Sequence, residues 1–218
     1  MKKGIYVLML LALTFIFATS CEKDEAAKDD EGKGKNEQGL NYDFTLEENE
    51  EGWRCVVDGE TYGGTISVVN SLNNEDFIPL GLVASSKYGG IDWLPKKVGT
   101  FRTGEKLSDI SGSATGDAYF SMSLIIDGVQ YYAYSSNAYG TQEEDRVYDT
   151  EATVTITKFD GDYIPYTLVG MRLTSFIGEV DLLFEGVFKT KDGSKTIEVT
   201  RGEARVRKEL PPSAKLIE

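Results

Sequence analysis

The sequence predicts an all-β protein: a single antiparallel β-sandwich or flattened barrel of about ten short strands. Three observations predict it. Beyond residue 40, apolar residues alternate with polar ones in short runs, and no stretch carries the helical period. Turn signals separate these runs, including four Asp-Gly pairs at 58–59, 127–128, 160–161 and 192–193. Asp and Gly both tolerate the positive φ that a type I′ hairpin turn requires, so at least three of the four are expected to be hairpins. No second linker interrupts residues 40–210, so they are expected to form one domain around one core.

Taken in order, Tyr42, Phe44 and Leu46 alternate with polar residues and predict an edge strand at the start of the domain. Residues 53–57 and 61–69 form a hairpin around Asp58-Gly59. Residues 77–85 read as a strand in which Pro79, lacking an N–H for the ladder, requires an edge or a bulge. Between residues 86 and 117 the alternation dissolves into Gly, Lys and Pro, with Trp93 and Phe101 as isolated large residues.

The clearest hairpin spans residues 119–136. A two-residue Asp127-Gly128 turn pairs Ile126 with Val129, Leu124 with Tyr131 and Met122 with Ala133 on one apolar face. The other face carries Ser121, Ser123, Tyr132 and Tyr134. After a polar loop at 137–149, strands are expected at 152–159, 168–173 and 180–190. Across Asp192-Gly193 the chain returns and places Ile197 opposite Phe188. Gly202 is expected at a bulge before Ala204 and Val206, and Pro211-Pro212 is expected to end regular structure.

The N-terminus carries an address. Lys2 and Lys3 precede the apolar run 5–18, and Ala18, Thr19 and Ser20 lead into Cys21. This is the layout of an export signal, and the run is shorter than the ~20 residues of a spanning helix. Phe17-Ala18-Thr19-Ser20-Cys21 resembles a bacterial lipobox, and Glu22-Lys23-Asp24-Glu25 resembles the surface-export tag of Bacteroidota-type lipoproteins.

That resemblance implies a signal peptide at 1–20 and acyl chains on Cys21, with several chains anchoring far more stably than one. It also implies an outer-membrane location, on the cell surface rather than the periplasmic leaflet. Residues 21–39, charged and Gly-bearing, follow as a disordered tether, and 211–218 as a tail. Ala18 stands where the lipobox usually has Leu, so a soluble exported chain is the alternative, with a Cys21–Cys55 disulfide then available. The domain resembles β-rich lipoprotein domains of the same bacterial group that open with a Val-Asp-Gly strand and turn. No activity comes with that resemblance.

Charge and composition narrow the function. The chain holds 23 Lys and Arg against 36 Asp and Glu, a net charge of -13, and no histidine. Neither nucleic acid nor an anionic lipid surface is an expected partner, since both demand a cationic patch. Histidine-based nucleophile systems and histidine-ligated zinc are excluded outright. Cys55, with Cys21 acylated, is expected to be a small buried hydrophobe.

Three functions fit what remains. The first is non-catalytic binding of a glycan or an envelope protein, with Trp93, Tyr132, Tyr134 and Tyr139 as the candidate contact residues. The second is an assembly role in which an edge strand, either that of Pro79 or that of Tyr42, pairs with another protein. The third, ranked last, is a carboxylate-based hydrolase drawing on Asp92, Asp181 and Glu185. No cofactor is expected. The acidic stretches at 73–76 and 160–162 have ordinary turn composition, so no metal is expected either.

Overall fold

The computed structural model describes residues 33–35, 41–43, 46–68, 75–112, 118–134 and 150–217. A two-stranded ribbon, β1 (Lys33–Lys35) and β2 (Asn41–Asp43), pairs antiparallel, with β1 inside the stretch read as a tether. An eleven-stranded antiparallel sheet follows. Its strands are β3 (Gly52–Val57), β4 (Glu60–Val68), β5 (Phe77–Ala84), β6 (Lys87–Pro95), β7 (Gly99–Arg102), β8 (Met122–Ile126), β9 (Val129–Ala133), β10 (Ala152–Leu168), β11 (Met171–Lys189), β12 (Thr196–Lys208) and β13 (Lys215–Leu216). A four-residue helix, α1 (Leu107–Ile110), lies between β7 and β8.

The sheet closes on itself. Running β12-β3-β4-β5-β6-β8-β9-β11, it returns to its start because β11 pairs with β9 at Lys189 and Tyr132 and with β12 along its length. This is the flattened-barrel outcome, with β10 branching from β11 and carrying β7 and β13 on its other edge. Inward positions fill one core. Trp53, Cys55, Leu80, Leu82, Ile91, Leu94, Met122, Leu124, Phe184, Phe188 and Val206 are all essentially closed to solvent.

Where turn chemistry set the register, sequence and structure agree. Asp58 and Gly59 have φ of 52° and 82°, Asp127 and Gly128 have 49° and 70°, and the three pairs predicted across Asp127-Gly128 are observed. Ile197 faces Phe188. Pro79 does sit at a register break, between Ile78 and Leu80, and the extra residue is on the partner strand at Asp92 and Trp93. β5 is flanked by β4 and β6, so it is not an edge and cannot recruit another chain. The bulge expected at Gly202 falls just before it, between Val199 and Arg201.

Four expectations are corrected. Residues 86–117 contain β6, β7 and α1, whose signals are masked by Gly, Lys and Pro. The expected strand over 168–173 is split by a turn at Val169-Gly170, with φ of 50° and 79°. A β-branched residue there gives no turn signal, because left-handed backbone is sterically unfavourable for it. Asp160-Gly161 makes no turn but lies inside β10, opposite Glu179 and Gly178. A Cβ on Gly178 would lie 2.2 Å from the Asp160 carbonyl, so the two strands approach too closely there for side chains. Lastly, β13 resumes regular structure beyond Pro211-Pro212 and pairs with β10 at Tyr166 and Thr167.

The barrel has two distinct ends. The Asp-Gly turns at 58–59 and 127–128 share one end, where Tyr62 Oη lies 3.3 Å from the Asp127 carboxylate. At the other end the chain enters through residues 46–51. Arg205 donates to the Glu47 carbonyl, and the Arg207 N–H donates to Glu51. Asp181 is paired with Arg207 at 2.6 Å at this same end.

Candidate functional site

Strand alternation builds the site. Leu80 and Leu82 of β5, Ile91 of β6, Met122 and Leu124 of β8, and Tyr131 and Ala133 of β9 point into the core. The residues between them therefore face outward. On β5 these are Pro79 and Gly81, on β6 Tyr88, Gly90 and Asp92, on β8 Ser123, and on β9 Gln130 and Tyr132. Together with Ser67, Ser121 and Tyr134 they line an open concavity of about 330 Å³ on the outer face of the sheet.

The concavity exists because its floor lacks side chains. A Cβ on Gly81 would stand 2.5 Å from Ser67 Oγ. Gly81 and Gly90 face each other across β5 and β6, leaving bare backbone in a row that runs from Ser67 on β4 to Ser123 and Tyr132 on β8 and β9. Tyr88, largely exposed, lines the concavity two residues along β6 from Gly90, and Tyr132 and Tyr134 line it from the β9 side.

Tyr134 is held in an unusual backbone state, φ 56°, just past the end of β9. Its N–H donates to Thr150 Oγ1 at 2.9 Å, and its ring lies 5.4 Å from that of Tyr119 at a tilt of 47°. It also borders a second, more open concavity of about 600 Å³ formed with Arg102, Thr103, Gly104, Glu105, Thr150 and Glu151. One tyrosine thus stands between two adjoining depressions.

Asp92 is the carboxylate of the first concavity among the described residues, facing outward as the neighbour of the buried Ile91. Loss of hydration raises its carboxyl above the ordinary value. Tyr132 is also raised, chiefly by burial and further by the Asp92 charge, with Lys191 opposing. The arrangement offers aromatic faces, hydroxyls, one amide and one carboxylate. That is a hydrogen-bonding and stacking surface for a polar ligand with apolar faces.

The residues singled out from the sequence separate here. Tyr132 and Tyr134 come together on the concavity. Trp93 turns to the core edge, its ring at 88° to that of Phe77 with centroids 6.2 Å apart, and does not line the concavity. Tyr139 and Cys21 lie outside the described residues. Cys55 is a buried free thiol among the described residues.

The three carboxylates considered for hydrolysis are not assembled. Asp181 and Glu185 are four residues apart on one strand, roughly 13 Å at about 3.3 Å per residue, beyond the ~5–10 Å that paired-carboxylate chemistry uses. Asp92 is on β6, which β8 and β9 separate from β11.

Tyr88, Ser67, Gly81 and Gly90 were not singled out from the sequence. The available signal was Tyr88-Gly89-Gly90, an aromatic residue beside two residues without side chains. No family model, curated protein or solved structure matches the chain.

Proposed function

We propose that this is an acyl-anchored lipoprotein of the bacterial outer membrane, surface-exposed and non-catalytic, whose barrel binds a glycan on its outer face. The observation that carries the binding reading is the glycine-floored concavity walled by Tyr88, Tyr132 and Tyr134. A sugar ring presents apolar C–H faces to aromatic rings and hydroxyls at its rim. Asp92, Gln130, Ser121 and Ser123 supply acceptors and donors for those hydroxyls. The openness of the depression and its continuation past Tyr134 favour a chain of sugars over a single enclosed one. The anchor reading is supported by the apolar run 5–18, by the small residues that lead from it into Cys21 and by the acidic stretch that follows.

The test is a glycan array followed by calorimetric titration of the best ligand against the full chain. Tyr132→Ala is expected to weaken binding at least tenfold, equivalent to about 1.4 kcal/mol, with the melting temperature retained. Unchanged affinity in Tyr132→Ala, or no glycan bound at all, refutes the reading. Mass spectrometry of the mature N-terminus checks the acyl chains on Cys21 separately.

A further inference from the structure

The β10–β11 hairpin reaches well past the barrel. Its pairing with β12 stops at Gly178 and Lys208, yet β10 and β11 stay paired out to Leu168 and Met171. Its base is fixed by Phe176, packed edge-on against Phe159 and Tyr163, and by Lys96 paired with Asp162 at 2.8 Å. Farther out, β13 lies along β10, with the Ile217 N–H donating to the Pro165 carbonyl. The result is a three-stranded finger.

The tip of the finger is apolar and exposed. Val169 is 89 % accessible, Leu216 63 % and Met171 59 %. Val169 holds left-handed backbone that a β-branched residue seldom adopts, at a turn position where Asn or Asp is the ordinary choice. An exposed valine in a strained turn is explained by neither packing nor turn chemistry.

The acidity of the chain as a whole argues against an anionic lipid partner, but the finger departs from that average. In a chain of net charge -13, residues 163–178 contain no acid and carry Arg172, and the segment between Glu209 and Glu218 carries Lys215. Thr167 pairs with both of these residues, Arg172 on one side and Lys215 on the other, so the two cations flank one strand near the turn. Exposed apolar residues beside two basic ones suit the interface of an anionic bilayer. The finger also leaves the barrel at the end where the chain enters through residues 46–51.

We infer that the Val169–Gly170 tip, with Met171, Leu216, Arg172 and Lys215, dips into the anionic lipid surface of the membrane that holds the protein's own acyl chains. This inference rests on the anchored reading. The contact is weak alone, but the anchor converts it into an intramolecular event with a high effective concentration. It orients the barrel with the Asp-Gly turns facing away from the bilayer.

The test uses the acylated full chain in vesicles of phosphatidylethanolamine and phosphatidylglycerol. An environment-sensitive dye is attached at Met171→Cys or, as a control at the opposite end of the barrel, at Ser86→Cys. A blue shift and shielding from an aqueous quencher are expected at 171 and not at 86. Val169→Asp, which suits the left-handed turn and so preserves the fold, is expected to abolish the shift, and Arg172→Glu to weaken it. Both effects should diminish in phosphatidylcholine vesicles.

Equal behaviour at the two sites overturns the inference. So does shielding at 171 on intact cells but not on lipid, which assigns the tip to a protein partner. If Cys21 proves unacylated the anchored reading fails on its own. The same dye measurement with that chain and added vesicles then still reads the tip, a shift supporting it and no shift at any lipid concentration refuting it.

Discussion

Val169→Asn separates the stability of the finger from its use. Val169 has φ 50° and Gly170 φ 79°, so both central residues of the turn are left-handed. For most L-residues that conformation costs roughly 1–2 kcal/mol, and Asn escapes much of this through its short polar side chain. The replaced side chain is 89 % exposed, so almost no apolar burial is lost in exchange. The net expectation is a gain of about 1 kcal/mol, which for a domain of this size raises the melting temperature by about 2–4 °C. Thermal melts and urea titrations of the full chain, with Val169→Ala beside it, provide the measurement. Alanine removes the β-branch but keeps most of the left-handed cost, so it should recover only part of the gain. If Val169→Asn melts at or below the parent, the valine is contributing packing that its exposure denies, and the strain argument collapses.

Three further outcomes follow from the geometry. Gly202→Ala would place a Cβ 2.4 Å from the buried Phe184 ring, and the denaturation midpoint should fall by the equivalent of about 1–3 kcal/mol; an unchanged midpoint would mean the ring relocates freely. Burial pushes the Cys55 thiol far up, so iodoacetamide should leave it unmodified in the native chain and alkylate it in urea, as read by intact mass. The Asp192 carboxylate accepts from Thr190 Oγ1 at 2.6 Å and from the Ser194 N–H and hydroxyl, which holds its pKa down to about 2. Because the folded state favours the charged form, that stabilisation is present above the ordinary value of 3.8 and is lost as pH falls through about 2. Asp192→Asn should therefore flatten the acid limb of the stability curve, and an unaltered limb would show that the loop's hydrogen bonds do not depend on the charge.

How much was legible in the sequence follows from where the determining contacts lie. The β8–β9 hairpin could be read residue by residue because its turn, its register and its apolar face are all local. Phe188 opposite Ile197 was legible for the same reason. The closure of the barrel was not, since β3 with β12 and β9 with β11 are pairings between distant segments that no turn specifies. Val169-Gly170 was invisible because its turn runs against the preference of its first residue. Asp160-Gly161 misled for the opposite reason: a good turn sequence was absorbed into a strand, where the glycine serves close approach to Gly178.

The candidate site divides along the same line, and Pro79 shows why. Tyr132 and Tyr134 were legible as the outer face of one hairpin, but the concavity needs β5 and β6 beside β8, which only the folded sheet provides. Pro79 could be read as a bulge former, yet the bulge it requires appears on its neighbour, at Asp92 and Trp93. Unbroken alternation from the buried Ile91 would put Leu94 outward. The added residue returns Leu94 to the core beside Trp93, which packs against Phe77, while Asp92 lines the outer concavity. A proline with no polar side chain of its own thus decides the phase of β6 beyond Trp93, while Asp92 outward and Trp93 inward already follow from the buried Ile91. Which of Asp92 and Trp93 turns outward depends on the phase of β6, and that phase is fixed by Ile91 in the core of the folded sheet rather than by any turn signal along the chain.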